Sequence, residues 1–225
     1  YTAANLYEHP KFRNMLTAFL PILSGGYSSP SIGDSNGGTA GKAIWMGSAS
    51  AVKGFLALGD PRFAQVAYLA NGNKIDNLRT DIWEKDPEKI QNDIEEIIQK
   101  QGMIKLDSDM MTGFGFAILR GGENLSTVGI GQHNTNRDFW MYFGKNSGHG
   151  HFDTLNLGLS AYGLNMAPDL GYPEATGTNP NTLQWVHDTI SHNTVAVDNE
   201  TQNYQKYNGN GGYPVHFDRG GKVQI

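Results

Sequence analysis

The residues best suited to chemistry stand in the run Gly148-His149-Gly150-His151-Phe152-Asp153. Two imidazoles and a carboxylate this close together can move protons near neutral pH or bind a cation. The spacing reads as extended chain, in which His149 and His151 point to the same face. Glycines on both sides of His149 let a second backbone or a ligand come close. The flanking segments ask for burial, Phe139 to Phe143 before the run and Leu155 to Leu159 after it. A titratable cluster between two core strands is costly unless its groups are paired or bound to a metal, so it is expected to have a function.

Two further stretches carry matching residue types, Ala167-Pro168-Asp169-Leu170-Gly171-Tyr172-Pro173 and Trp185-Val186-His187-Asp188-Thr189-Ile190-Ser191-His192-Asn193-Thr194. His151, Asp169 and His192 form a candidate zinc set of imidazole and carboxylate donors without a thiolate. The alternative is three turn residues satisfied by hydrogen bonds. Asp153 reads either as a partner to a histidine or as a turn cap. Trp185, Gln184 and Tyr172 are candidate sugar contacts, because an aromatic face suits a pyranose ring; core packing is the rival reading. Asp34, in Ser31-Ile32-Gly33-Asp34-Ser35, is read as a cap for the segment after it. His187 and His216 lack a partner pattern and read as surface or locally satisfied histidines, and His133 sits in a polar turn. No nucleotide-binding glycine pattern occurs; Gly25-Gly26 and Gly37-Gly38 read as turns.

The elements that must position these residues change character along the chain. Up to about Asn71 the apolar spacing is helical. Phe12, Met15, Leu16, Phe19 and Leu20 fall on one stripe that weakens at Pro21. Ile44 to Leu58 and Arg62 to Leu69 predict two more helices, separated by Gly59-Asp60-Pro61. Asp81 to Lys100 predicts a charged helix, opened by Asp86-Pro87-Glu88 and read as a solvated face or linker. From Met110 the period falls to two. Strands are expected at Phe114–Arg120, Ser126–Gly131, Phe139–Phe143, Leu155–Leu159, Gly163–Met166 and Asn193–Asp198, with Gly/Asn turns between them. Short strands at this spacing predict an antiparallel sandwich, with a domain boundary near residues 100–110.

The 225 residues suffice for one large domain or two small ones. A net charge of −5 argues against a nucleic-acid partner, although a local patch can still bind a polyanion. The absence of cysteine excludes disulfides and thiolate metal sites. No apolar run reaches the ~20 residues of a membrane span. The chain opens at Tyr1 inside a helical pattern and closes inside a strand-like one, so it is expected to be a piece of a longer protein.

The motifs Ser147-Gly148-His149-Gly150-His151-Phe152-Asp153, Ala167-Pro168-Asp169-Leu170-Gly171-Tyr172 and Ile190-Ser191-His192-Asn193-Thr194-Val195, in this order, resemble the heparinase II/III-like polysaccharide lyases. That family includes alginate, heparin/heparan and other uronate lyases. The Ser31–Ser35 loop fits the end of its helical domain. The resemblance implies an α+β multidomain fold, with residues 1–105 as the C-terminal portion of an (α/α) toroid and 106–225 as an antiparallel β-sandwich, incomplete here. It implies a structural Zn2+ on His151, Asp169 and His192, and His149 as a catalytic histidine facing substrate. It also implies an acidic polysaccharide substrate cut by β-elimination, a periplasmic or secreted location, and no nucleic-acid or membrane partner; a homodimer is compatible with it. The family's catalytic Tyr and its carboxylate-neutralising Asn/His pair lie earlier in the helical domain. No motif marks them here, and Tyr1 and Tyr7 read as packing between helices. Two other functions remain open: a non-catalytic carbohydrate-binding module with a stabilising metal, and a zinc-dependent glycan hydrolase.

Overall fold

The computed structural model describes residues 5–24, 29–35, 46–122, 136–145, 148–172, 180–202 and 211–220, with the side chains of Pro180 and Thr182 excepted. They fall into two compact units, one helical and one built on a sheet. Tyr1, Tyr27, Ile44, His133 and the strand expected at Ser126–Gly131 lie outside the described residues.

In the helical unit, a proline at the first position marks the starts at Pro10, Pro61 and Pro87. α1 (Pro10–Thr17) begins behind His9, whose Nδ1 accepts the Lys11 backbone N–H at 3.2 Å. It stops short of the expected Leu20, and Leu20–Ile22 form a separate 3-10 turn around Pro21. α2 (Ser48–Leu58) ends at Gly59, in the left-handed region at φ 65°. α3 (Pro61–Ala70) starts at once, with the Asp60 carboxylate accepting from Arg62 N–H at 2.9 Å. α2 and α3 meet closely at Gly54, where a Cβ would lie 2.8 Å from the Phe63 ring. Ala51, Val52, Phe63, Ala64, Val66 and Ala67 are buried around that contact. α4 (Pro87–Gln101) is capped by Asp86, which accepts from Lys89 N–H at 3.1 Å. Of the two readings, a solvated face or a linker, it is the first, exposed or half-buried apart from two isoleucines. Ile90 and Ile94 are buried and the helix packs on α3, each isoleucine stabilising by about 1.5–3 kcal/mol.

The second unit holds a five-stranded antiparallel sheet in sequential order: β1 (Asp109–Met111), β2 (Phe116–Gly121), β3 (Arg137–Tyr142), β4 (Asn156–Ala161) and β5 (Leu164–Asn165). Alternation decides its buried face. Phe116, Ile118 and Arg120 of β2 stand opposite Tyr142, Trp140 and Asp138 of β3. Ile22 and Ile32 cover the aromatic part of this face. Trp140 lies across Gly158 of β4, where a Cβ would come 1.9 Å from the indole ring. The buried Arg120 guanidinium donates to the Asp107 carbonyl and, at 2.7 and 2.5 Å, to the carbonyls of Pro21 and Leu23. Residues 21–24 are thereby tied to the sheet.

Several expected elements differ. The two-histidine run is a turn, not a strand; Gly148 takes φ 65° and redirects the chain between β3 and β4. Pro180–His187, given no element in advance, is α5, followed by a 3-10 turn at Thr189–Ser191. Asn193–Asp198 is not a strand. Asp198 and Asn199 are left-handed (φ 56° and 57°), and Val197 bridges only to Glu200 in a tight turn. The expected Gly163–Met166 strand shrinks to the two residues of β5.

Candidate functional site

The site gathers on the turn between β3 and β4 and on two segments bonded to it. Leu155 N–H donates to the Tyr142 carbonyl at 2.8 Å and Asn156 N–H to Asp153 at 2.8 Å, closing the turn. Phe152 N–H bonds the His187 carbonyl at 3.0 Å, and the Thr189 hydroxyl donates to the Phe152 carbonyl at 2.6 Å. These bonds bring the end of α5 alongside the histidines. Leu157 N–H donates to the Asn193 carbonyl at 3.0 Å, and Asn193 Nδ2 donates to the carbonyls of Ala167 and Pro168, both at 3.1 Å. The segments around residues 151, 169 and 192 are thus held by backbone bonds as well as by their side chains.

One group is Asp153, Asp169 and His192, whose ligand-type atoms all lie within 4.8 Å of one another and are all buried. Asp169 Oδ2 accepts from His192 Nδ1 at 2.7 Å and from Asn156 Nδ2 at 2.8 Å; its Oδ1 accepts from Gly171 N–H at 2.8 Å. Burial pushes the Asp169 carboxyl up, but the hydrogen bond from His192 and those of Gly171 and Asn156 hold it below the usual carboxylate range. Burial likewise pulls His192 down, and the Asp169 carboxylate overrides this and raises it. At Asp153 burial outweighs the opposing pull of His192 and pushes the carboxyl up to about 6.

The second group is Asp34, His151 and His187. Asp34 Oδ2 lies 2.7 Å from His149 Nδ1, and Oδ1 lies 3.0 Å from His151 Nε2 and 3.5 Å from His187 Nε2. His151 is fully buried, whereas the His149 side chain is 93% exposed. Burial lowers the His151 pKa, and Asp34 offsets only part of that. The Asp34 carboxyl is pushed up by burial and brought below its ordinary value by the hydrogen bonds from His151 and His149.

The two groups adjoin, with the His151 and His192 ring centres 5.2 Å apart. Between them His151 Nδ1, His192 Nε2 and both Asp153 oxygens are buried without a hydrogen-bond partner. An unsatisfied buried polar atom costs about 1–3 kcal/mol, a cost that a bound cation would offset. Asp153, Asp169 and His192, with His151 in the adjoining group, are the residue types that could hold a divalent cation such as Zn2+. The residues fit the expected metal.

Of the expected zinc set, Asp169 and His192 share one group and His151 stands in the adjacent one. Trp185 and Gln184 lie exposed on α5, Trp185 at 52%, and Tyr172 is 39% exposed, its N–H bonded to the Ser35 carbonyl at 2.8 Å. His216 is exposed, and Tyr7 packs edge-on against Phe12. Sequence reasoning missed Asp34 and His187. The Asp34 carboxylate reaches histidines 115 and 117 residues away; the segment it was expected to cap lies, from residue 36, outside the described residues. His187 is not a stray surface histidine, since its ring centre lies 4.5 Å from that of His151.

A family described as Heparinase II/III-like, C-terminal matches residues 105–218. Among solved structures, a heparinase III gene product aligns at 15% identity over 95% of this chain and 27% of its own, with a TM-score of 0.53. A second heparinase III aligns at 14% identity over 93% of this chain and 28% of its own, with a TM-score of 0.54. A heparan sulfate lyase, HepC, of Pedobacter heparinus aligns at 18% identity over 84% of this chain and 24% of its own, with a TM-score of 0.47. The chain therefore spans about a quarter of the length of the structures it matches. No curated protein matches it.

Proposed function

This chain belongs to the heparinase II/III-like family through residues 105–218, and on that premise we propose that it forms part of a polysaccharide lyase that cuts uronic-acid-containing glycans by β-elimination. In that reading α1–α4 are the last helices of an (α/α) toroid and the five-stranded sheet is one layer of an antiparallel β-sandwich. The reading extends to a periplasmic or secreted protein whose partner is an acidic polysaccharide of the glycosaminoglycan or alginate type.

The carrying observation is His149. It is an exposed imidazole bonded through Nδ1 and set two residues from a buried cluster of cation donors. β-Elimination needs such a group. The C5–H bond of the uronate breaks and its proton passes to a base. The electron pair becomes the C4–C5 double bond, and the C4–O bond breaks with the oxygen taking a proton from an acid. With Nδ1 engaged, Nε2 of His149 is the nitrogen that meets the sugar. Groups that stabilise charge on the uronate carboxylate lower the first barrier; the family resemblance assigns those groups and the catalytic Tyr to earlier helices. Trp185, Gln184 and Tyr172 supply exposed stacking and hydrogen-bonding surface for neighbouring sugars. His151, Asp153, Asp169 and His192 would hold Zn2+, which supplies rigidity and positive charge to the turn when bound.

The test is incubation of the full-length protein with heparan sulfate, chondroitin sulfate, hyaluronan and alginate, read by ultraviolet absorbance of unsaturated uronate. Absorbance growth with one polymer, lost in His149→Ala, is the expected result. Saturated products point instead to a hydrolase, and glycan binding without cleavage to a binding module; either overturns the lyase reading.

A further inference from the structure

The Gly33-Asp34 turn is built against the two-histidine turn through backbone as well as side chain. Asp34 N–H donates to the His149 carbonyl at 2.9 Å. Gly33 takes φ 58°, and a Cβ there would stand 2.4 Å from the His149 carbonyl oxygen and 3.2 Å from Gly150 Cα. Ser35 extends the contact by accepting from Tyr172 N–H at 2.8 Å. Three segments distant in sequence are thus bonded into one frame, with the Asp34 carboxylate at its centre.

We infer that Asp34 is a positioning residue that sets both histidines at once: it holds His149 with Nδ1–H on Oδ2 and Nε2 turned outward, and His151 with Nε2–H on Oδ1 and Nδ1 left to the cation cluster. The geometry requires little else. A carboxylate with two oxygens can accept one ring N–H on each, and the distances are 2.7 and 3.0 Å. The nitrogen of His151 that Asp34 does not use is buried and without a partner, on a ring 5.2 Å from that of His192. The corresponding edge of His149 belongs to a side chain open to solvent. A carboxylate that receives one imidazole N–H orients the other nitrogen and raises its donor strength. Here a single carboxylate does so for a cation donor and for the exposed imidazole, which couples the two sites. In this role Asp34 acts through the two imidazoles. The role assigned to His149 rests on the lyase reading; the tautomer assignment and the cation coupling do not.

Three measurements test this, two of them independent of turnover. Nitrogen-15 imidazole spectra of the wild-type, metal-free protein are recorded at about pH 8, above the ordinary histidine range. They should show His149 protonated on Nδ1 and His151 on Nε2; the opposite tautomer at either ring overturns the inference even if no variant folds. Zinc titration of Asp34→Asn should show affinity reduced by about 10–100-fold, and unchanged affinity overturns the coupling. In the full-length protein, Asp34→Asn should lower kcat at least about tenfold with KM changed by less than about twofold, whereas Asp34→Glu, which keeps the charge, should recover part of kcat. Equal loss in both variants overturns the positioning role. If wild type forms no unsaturated product from any uronan, the lyase reading fails alone, and the spectra and zinc titration still decide the role of Asp34.

Discussion

Asp153 is the residue at which a bound cation would reverse the sign of an effect. Without metal its buried carboxyl titrates at about 6, above the ordinary ~3.8–3.9 of an unfolded aspartate. A raised acid means that the folded state binds the proton more tightly than the unfolded state. The associated stability is present below pH ~4, is lost as the pH rises toward 6, and is absent at neutrality. Asp153→Asn removes that penalty, so in chelator it should stabilise the protein at pH 7, by at most about 3 kcal/mol. The difference from wild type should shrink to nothing by about pH 4. With zinc present the same change removes a donor and should destabilise. Denaturant melts of both proteins, with and without chelator, check this; the same sign under both conditions would remove Asp153 from the cation site. Residue identity alone raised Asp153 only as a partner or a cap, because its lack of hydrogen bonds is a property of the folded surroundings.

At the scale of elements, the site depends on two turns touching backbone to backbone. Gly33→Ala places a methyl at φ 58° against the His149 carbonyl. The left-handed conformation alone costs about 1–2 kcal/mol, and relieving the contact must shift either Asp34 or the His149 turn. The variant should melt lower, and the full-length protein should lose turnover beyond what the stability change explains; a thermal melt paired with the product assay reads both. The helices of one unit and the core strands of the other were largely legible beforehand. Their apolar residues repeat at 3.6 or 2, and Asp60-Pro61 and Asp86-Pro87 mark helix starts chemically. Asn193–Asp198 was misread because alternating apolar residues satisfy a strand pattern, while the left-handed pair Asp198 and Asn199 turns the chain back on itself.

For the whole molecule, a bound cation would link function to stability. Among the described residues no helix is long and apolar enough to cross a membrane, and the sheet unit relies on its own core and on the polar cluster below the turn. Zinc at about 100 times its dissociation constant should add about 2.7 kcal/mol, a rise of roughly 5–10 °C in Tm for a protein of this size. Calorimetry before and after chelation measures it. A lyase with a structural ion should lose this stability before it loses turnover, whereas a hydrolase that activates water on the ion should stop at once. The chain's residues by themselves determined that the first helices precede the strands, the family motifs and the residue types of the cluster, because these depend on local periodicity and side-chain chemistry. Only the tertiary structure decided that Asp34 and His187 belong with His149 and His151, and that the two histidines sit on a turn. A hydrogen bond spanning 115 residues leaves no local pattern, and the direction of a side chain on a turn follows backbone angles set by contacts from elsewhere in the fold.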